Sequence, residues 1–255
     1  MNISPIKELD IKTDSQKQIN QDLRTRFIDL LPYLGDNWHM HALIGVRVQA
    51  LARINYYTEL YKQIVNVPGV ICEFGVQWGA TMCQLINLRS IYEPFNISRK
   101  IIGFDTFSGF PSVSVADFSR TSEWKPGDYS SKAGFESDLE QILWLHEQAA
   151  PMAHIRKFDL VKGDICKTFP VWLEENPHAI ISMAIFDTDL YLPTRDVLQA
   201  IKHRLTRGSI LVFDELNCEH FPGETIAVRE ILGTENIKLR RSHLQPYCSW
   251  AVWGE

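Results

Sequence analysis

VICEFGVQWGAT, residues 70–81, is the stretch that decides the fold class. Its apolar run, Val70–Phe74, has the composition and length of a buried strand, and a helical pattern begins near Thr81. Gly75 and Gly79 lie between the two and allow a tight turn with close approach of the backbone to a ligand. The N–H groups at the start of such a helix bind a carboxylate or phosphate well. The spacing differs from G-x-G-x-x-G, which disfavours a dinucleotide pyrophosphate, and an ordinary strand-to-helix turn remains the alternative.

Apolar runs and helical patterns alternate along the rest of the chain, which predicts a parallel sheet with helices on both faces. The further predicted strands lie near Lys100–Phe104, Phe158–Lys162, Ile180–Phe186 and Ile210–Phe213. The predicted helices lie near Thr81–Tyr92, Gly134–Gln148, Thr168–Glu175, Pro193–Leu205 and Glu224–Leu232. Two last strands, near Lys238–Ser242 and Tyr247–Trp253, flank a short turn with Pro246 and predict a terminal β-hairpin.

The front of the chain has no strand signal before Val67. Apolar residues recur at helical spacing from about Gln16, and a second helical stretch runs from about Met40 to Ile64. We therefore predict that residues 1–66 form an N-terminal helical extension or cap, and that residues 67–255 form a separate α/β domain.

Composition narrows the class of protein. The 255 residues are 45% hydrophobic and 22% charged, which is typical of a globular protein with a sizeable core. The net charge of −5 argues against a nucleic-acid partner, because phosphate binding needs a basic surface. No run reaches the roughly 20 apolar residues of a membrane span, and the polar N-terminus lacks a signal-peptide pattern, so we expect no membrane association.

The five cysteines are scattered, and no two have the C-x-x-C spacing of a zinc site. They are Cys72, Cys83, Cys166, Cys218 and Cys248. An odd number of scattered thiols fits a reducing compartment, so we expect the protein to be cytoplasmic.

Acidic residues follow two predicted strands that should be neighbours. AIFDTDLY, residues 184–191, places Asp187 and Asp189 after the fourth strand, and the fifth ends in Asp214-Glu215. Ligands bind outside the carboxyl ends of parallel strands, so up to four carboxylates should share one crevice. They repel one another unless they are protonated or bound to a cation, and oxygen ligands favour Mg²⁺, with Ca²⁺ or Mn²⁺ as alternatives. Some of these acids, Asp189 above all, could instead be solvated or cap a helix.

Single acids also follow the second and third predicted strands. Asp105 is placed to accept hydrogen bonds from ribose hydroxyls, a feature common to NAD and S-adenosylmethionine sites. Asp164 could accept a hydrogen bond from an adenine amino group. Each has a structural alternative, since Asp105 could cap a turn and Asp164 could cap the next helix.

One long stretch, Ser108 to about Lys132, has few structure signals. Loops of this length inside a compact domain are usually functional lids or disordered segments. We expect this one to close over the site and exclude water.

Four motifs taken together resemble a known family. They are CEFGVQWGAT (72–81), IIGFDTFSGFP (101–111), FDTDLYLPT (186–194) and FDELN (213–217). This set resembles the macrocin O-methyltransferase family, S-adenosylmethionine-dependent sugar O-methyltransferases of natural-product pathways. Within it, the motifs are most similar to those of the calicheamicin-pathway sugar O-methyltransferase type. The resemblance covers about residues 67–232.

The resemblance implies a class I methyltransferase fold: a Rossmann-like α/β domain with a seven-stranded sheet whose last strand is antiparallel. Residues 67–255 would then be the S-adenosylmethionine-binding catalytic domain, and Asp189 the general base. The implied metal ligands, for Mg²⁺ or another hard divalent cation, are Asp187, Asp214 and Glu215. The implied cofactor-binding residues are Glu73, Gly75, Gly79, Thr81, Asp105, Thr106, Phe107, Asp164, Ile165 and Asp187. The expected acceptor is a sugar hydroxyl of a small molecule or glycoside, and a homodimer is expected.

Three other classes of protein remain open. An NAD-dependent oxidoreductase shares the sheet, the glycine turn and the ribose acid, but it does not account for four clustered carboxylates. A metal-dependent glycosyltransferase or a phosphatase would use Asp187-x-Asp189 to bind its metal. A catalytically inactive binding subunit could keep the fold without the activity.

Overall fold

The computed structural model describes residues 13–255, so the first twelve residues of the predicted cap lie outside the described part of the chain. Two compact units divide between Asn55 and Tyr56, within one long helix. The predicted domain boundary at 66/67 stays a prediction. Within residues 13–255, no helix is both long enough and apolar enough to span a membrane.

The first unit is helical, as predicted. Helix α1 (Asp14–Leu30) begins at a capping box in which the side chains of Thr13 and Gln16 each accept from the other's backbone N–H. The predicted stretch from Met40 to Ile64 is broken: α2 (Trp38–His41) runs into a 3₁₀ turn, and α3 (Val48–Ile64) starts afresh. At the break, Gly45 packs under the ring of Phe27 and Val46 is extended.

The second unit contains a seven-stranded sheet. Its strands are β1 (Val70–Phe74), β2 (Ile101–Asp105), β3 (Phe158–Lys162), β4 (Ile181–Phe186), β5 (Leu205–Phe213), β6 (Arg240–Arg241) and β7 (Ser249–Val252). The order across the sheet is β3-β2-β1-β4-β5-β7-β6, and β7 is antiparallel to both of its neighbours. The expected sheet with an antiparallel last strand is therefore confirmed.

The helices of the second unit match the predicted set with shifted ends. They are α4 (Ala80–Tyr92), α5 (Phe135–Gln148), α6 (Ile165–Glu175), α7 (Tyr191–Ile201) and α8 (Pro222–Ile231). The largest shift is at α7, predicted to run to Leu205. It ends four residues earlier because Leu205 already pairs with Ile181 of β4 as the first residue of β5.

Each face of the sheet buries its own apolar core. Helices α4 and α5, with the second half of α3, pack on one face over residues such as Ile71, Met183 and Ile185. Helices α6, α7 and α8 pack on the other face. Burial on both faces explains why the central strands are nearly continuous apolar runs.

Four phenylalanines fix the register of the central strands, and we call them the phenylalanine row. They are Phe104, Phe74, Phe186 and Phe213, paired in that order across β2, β1, β4 and β5. Neighbouring ring centroids are 5.1, 5.5 and 5.3 Å apart. A slip of one residue in any strand would turn its ring to the other face, so the register is strongly specified.

The residues that follow this row line the carboxyl edge of the sheet. They are Asp105, Gly75, Asp187 and Asp214. Backbone hydrogen bonds extend the pairing to them: the N–H groups of Gly75, Asp187 and Asp214 donate to carbonyls of the row at 2.9, 2.8 and 3.1 Å. The edge therefore holds the glycine turn between two acid-bearing strands.

Gly75 is in the closest contact along this edge. Its φ is +90°, and a Cβ built on it would overlap the backbone carbonyl of Asp187. Gly127 has nearly the same φ, +89°, but a Cβ there would meet nothing within 4 Å.

These two glycines make a matched pair for a stability measurement. We expect Gly127→Ala to lower the free energy of unfolding by roughly 1–2 kcal/mol, the cost of a positive φ for a residue with a Cβ. Gly75→Ala should cost about 2 kcal/mol more, because the backbone must also move. Urea unfolding with linear extrapolation measures both values. Equal losses of unfolding free energy would show that Gly75 is needed only for its positive φ and not for its close contact with Asp187.

Candidate active site

Asp105 fastens the glycine turn to the loop that follows β2. Its Oδ2 accepts from the backbone N–H groups of Val76 and Gln77 at 2.7 and 2.9 Å, and its Oδ1 accepts from Phe107 N at 2.6 Å. An ionised carboxylate offers about four acceptor positions, so about one remains for a ligand hydroxyl. The structure thus gives this predicted ribose acid a local role in shaping the turn.

The other predicted residues around the glycine turn are mostly buried. Glu73 is buried within β1, and Thr81 is buried in the first turn of α4. Gly79 directly precedes α4 with φ +74°, and a Cβ on it would overlap the side chain of Leu139 in α5. Protein atoms therefore fill the side of the turn that faces the core, and a ligand has room only on the side that faces solvent.

The loop after β2 is also tightly held. The Thr106 hydroxyl donates to the carbonyl of Gly109 at 2.6 Å and accepts from Ser108 N at 3.2 Å. Phe107 is buried with φ +54°. These contacts fix the start of the long segment that was expected to be a lid.

Asp164 adopts the structural alternative that the sequence left open. It caps α6, accepting from Cys166 N at 3.1 Å, and its carboxylate pairs with Lys167 at 3.1 Å. Ile165 is buried against the core beneath α6. Because Gly163 N donates to the carbonyl of Asp105 at 2.8 Å, this cap lies at the end of the strand beside Asp105. Contact of either residue with an adenine stays a prediction.

Five carboxylates gather at the ends of β4 and β5, and we call them the acid crevice. They are Asp187, Asp189, Asp214, Glu215 and Glu224. Asp187 and Asp214 lie on the sheet edge described above, and Asp189 lies in a turn with φ +62°. Glu224, in the first turn of α8, is completely buried, and its Oε1 accepts from Glu215 N at 3.0 Å.

The acids of the crevice act on one another. Burial raises the pKa of Asp189 well above its ordinary value, and the charges of the other four members raise it further. Burial likewise raises the pKa of Glu224 well above normal, against the opposing hydrogen bond from Glu215 N. The four acids predicted from the sequence therefore lie close enough to act on one another. A carboxyl with a raised pKa is better matched to taking a proton from a weakly acidic hydroxyl.

Two cysteines border the crevice. Cys248 donates its S–H to Asp214 Oδ1 at 2.9 Å. Burial, with a hydrogen bond to Glu215, raises the pKa of the Cys218 thiol to about 12. The Cys218 thiol therefore stays protonated at neutral pH and adds no negative charge.

The predicted metal site is not preformed. Across residues 13–255, no three or more His, Cys, Asp or Glu side chains are arranged so that they could hold a metal ion. The acids share a crevice without converging on one coordination point.

Two buried acids in this region escaped the sequence analysis. Glu224 follows the Pro-Gly at the start of α8, and an acid in a first helical turn is ordinarily exposed and favoured by the helix dipole. Asp117 lies in the long segment predicted to be a lid, and it is buried in a short 3₁₀ turn, Val115–Asp117. The only available signal was the Pro-Gly-Glu sequence beside the FDELN motif.

Comparison with known proteins relates the chain to a family. The family model described as macrocin O-methyltransferase (TylF) matches residues 4–238. A curated relative from Streptomyces olivaceus, 8-demethyl-8-(2,3-dimethoxy-alpha-L-rhamnosyl)-tetracenomycin-C 4'-O-methyltransferase, is 23% identical over 187 residues, which are 71% of this chain. The match spans 66% of that relative's length.

Solved structures agree with the family match. The crystal structure of CalS11, calicheamicin methyltransferase, is 36% identical with a TM-score of 0.88, covering 96% of this chain and 95% of that one. The apo structure of CalS11, described as a TDP-rhamnose 3'-O-methyltransferase, is 34% identical with a TM-score of 0.82 and 96% coverage of both chains. The O-methyltransferase NovP, at 16% identity, TM-score 0.60 and 79% coverage of both chains, supports the fold alone.

These matches confirm the sequence-based resemblance and the class I methyltransferase fold. The family match spans well over half of the chain, and identity to CalS11 extends over almost all of it. On these grounds, the chain belongs to the macrocin O-methyltransferase family.

Proposed function

We propose that this protein transfers a methyl group from S-adenosylmethionine to a sugar hydroxyl of a natural product or glycan precursor. The observation that carries the proposal is the acid crevice beside the glycine turn, on a fold that matches CalS11 over nearly the whole chain. Two relatives narrow the class of acceptor, because the names of both refer to rhamnose. One name describes a TDP-rhamnose and the other a rhamnosyl glycoside. A rhamnose-type sugar is therefore the acceptor class to test first.

The glycine turn and Asp105 would hold the methyl donor. The backbone of the turn from Gly75 to Gly79 would bind the donor's amino-acid part, and the remaining acceptor position of Asp105 suits one ribose hydroxyl. Bound S-adenosylmethionine supplies a methyl group that is already activated on a sulfonium, so no covalent intermediate with the protein is required. The task left to the chain is to hold the acceptor oxygen in line with that methyl group.

Asp189 would accept the proton of the acceptor hydroxyl. It lies past the end of β4, opposite the acids that follow β5, and it is only partly exposed. Its left-handed turn, φ +62°, directs the chain sharply into α7 and keeps the carboxylate at the crevice. A base at this position removes the proton of the acceptor hydroxyl as the methyl–oxygen bond forms.

Substitution of this base tests the proposal. We expect Asp189→Asn to lower kcat with TDP-rhamnose or a rhamnosyl glycoside about 10²–10⁴-fold, because Asn cannot take the proton. The affinity for S-adenosylhomocysteine, measured by calorimetry, should be unchanged. Glu219→Gln is the matched control, since it removes an exposed acid from the neighbouring loop and should keep the normal rate. Binding of NADH in place of S-adenosylhomocysteine would instead favour an oxidoreductase.

We also propose that a hard divalent cation, Mg²⁺ in the first instance, binds in the acid crevice. The chemistry of the donor set fits, because five carboxylates supply only oxygen ligands and their mutual repulsion favours a cation among them. The ligands would be Asp187, Asp214 and Glu215, after side-chain rotation, since no coordination arrangement is preformed within residues 13–255. Such an ion lowers the pKa of a hydroxyl that it coordinates.

Metal dependence has two independent readouts. We expect EDTA to abolish methyl transfer and added Mg²⁺ to restore it, with no change in the affinity for S-adenosylhomocysteine. Electron paramagnetic resonance should show Mn²⁺ bound to the wild-type protein and lost in Asp214→Asn. Asparagine keeps an oxygen that can accept from Cys248, so this change removes the charge alone. Full activity after chelation would contradict the metal proposal.

A homodimer formed through the first unit is the third part of the proposal. None of residues 13–55 is buried, and this unit exposes many large apolar side chains. They are Ile19, Ile28, Leu30, Leu31, Tyr33, Trp38, Met40, Leu43, Ile44, Val46, Val48, Leu51 and Ile54. Together they offer on the order of 1,000 Å² of apolar surface, compared with roughly 800 Å² per partner in a standard interface. A second copy of the chain is the occupant that we propose for this surface.

Light scattering after gel filtration tests the dimer. We expect the wild-type mass to be twice the 29.4 kDa of one chain. Leu43→Glu should give a monomer, because a charge would be buried in the interface. Ile91→Glu, at an equally exposed position on α4 (67% against 66%), should stay dimeric. A monomeric wild-type protein would contradict the proposal.

The proposed cellular site is the cytoplasm. None of the five cysteines, all of which lie within residues 13–255, forms a disulfide bond, and Cys72, Cys218 and Cys248 are buried. Free thiols of this kind fit a reducing compartment.

A further inference from the structure

The segment that leads from the loop after β2 to the acid crevice is held in place by buried residues. We call residues 108–132 the strut segment. A mobile lid is expected to have few buried contacts. This segment instead buries Phe110, Asp117 and Trp124, and two backbone hydrogen bonds join Phe110 to Gly127 and Asp128 at 2.9 Å.

Asp117 ties the strut segment to the loop that carries Asp187 and Asp189. Only 1% of Asp117 is exposed, and its Oδ1 accepts from the backbone N–H of Tyr191 at 2.6 Å. Tyr191 is the first residue of α7 and directly follows that loop. The other oxygen, Oδ2, accepts from both the N–H and the hydroxyl of Ser114 at 2.7 Å. One carboxylate thus joins the segment to the start of α7, where the helix dipole also favours a negative charge.

Trp124 ties the same segment to the loop that follows β5. Its indole N–H donates to the carbonyl of His220 at 2.8 Å, and Ser122 donates to the same carbonyl at 2.8 Å. The indole ring stacks on Phe221 with centroids 4.6 Å apart and an interplanar angle of 6°. His220 and Phe221 lie between Asp214-Glu215 and Glu224 in the chain.

Asp117 also lies close to the first residues of both α7 and α8. A Cβ on Gly223, in the first turn of α8, would overlap both Asp117 Oδ1 and the backbone nitrogen of Tyr191. The strut segment, the start of α7 and the start of α8 therefore meet at one buried carboxylate. Glu224, the neighbour of Gly223, is a member of the acid crevice.

We infer that Asp117 is a positioning residue for methyl transfer, holding the β4–α7 loop against the start of α8, with Trp124 holding the β5–α8 loop. This inference rests on the proposed function for its catalytic consequence, but the positioning itself does not depend on it. The strut segment sets the spacing between Asp187 and Asp189 on one side and Asp214, Glu215 and Glu224 on the other. A base displaced by about 1 Å loses much of its effect, so the spacing matters for the rate.

The kinetic test compares two acids of the same segment. Asp117→Ala should lower kcat about tenfold to a hundredfold while the affinity for S-adenosylhomocysteine stays within about twofold. Asp117→Asn should recover part of the loss, because its amide oxygen can still accept from Tyr191 N. Glu123→Ala, which removes an exposed acid of the same segment, should keep the normal rate. Equal losses of kcat and of cofactor affinity in Asp117→Ala would overturn the inference.

Hydrogen–deuterium exchange tests the positioning without any activity. Asp117→Asn keeps the side-chain size and Trp124→Phe keeps an aromatic ring, so both guard against an alanine variant that fails to fold. We expect Asp117→Asn to speed exchange in residues 187–191, and Trp124→Phe to speed it in residues 214–221, with residues 75–79 unchanged. Exchange that rises only within 108–132, or uniformly over the sheet, would overturn the inference. If the exchange result holds while no methyl transfer is found in the wild type, the proposed function fails and the positioning stands.

Discussion

The register of the four central strands is the constraint on which the site depends. The phenylalanine row packs as one layer of the core beneath α6, α7 and α8, and no strand can slip without turning a large ring toward the wrong face. The next residue along each strand is therefore placed by core packing, whatever its own chemistry. That residue is an acid in β2, β4 and β5, and a glycine in β1. The hydrophobic core thus determines which polar groups stand side by side at the carboxyl edge of the sheet.

This placement brings carboxyl groups together where their ionisation is unfavourable. Burial, and then the charges of the neighbouring acids, raise the pKa values of Asp189 and Glu224, which means that the folded state disfavours their ionised forms. Glu147, a buried acid elsewhere in the chain, is neutralised: it accepts from Arg89 through both oxygens at 2.7 Å and also pairs with Lys157 at 2.6 Å. The contrast distinguishes this acid, which stabilises the fold, from the acids that we propose to bind a cation. Unfavourable local electrostatics of this kind are typical of functional sites.

The sequence predicts most of the sheet and part of the site, and the division has a physical reason. The strands β1, β2 and β4 are buried on both faces, so their apolar runs are visible in the chain, and acids that directly follow such runs must lie at the sheet edge. The start of β5 was missed because residues 206–209 are polar or small, and this part becomes a strand through tertiary pairing. Leu205 pairs with Ile181, and the backbones of Gly208 and Ser209 are hydrogen-bonded to Trp253. Glu224 and Asp117 were missed because each looks like an ordinary exposed acid in its local sequence. Their burial arises only from tertiary packing.

Asp105 and Asp117 perform the same kind of task on the two halves of the site. Each carboxylate accepts from backbone N–H groups of two separate loops: Asp105 from the turn after β1 and the loop after β2, Asp117 from Ser114 and the start of α7. Backbone donors remain when a side chain is replaced, except by proline. The shapes of these loops therefore depend on two acids more than on the other loop side chains. Under the proposed function, Asp105 would keep the donor side of the site in place and Asp117 the side of the base, even where other loop side chains are changed.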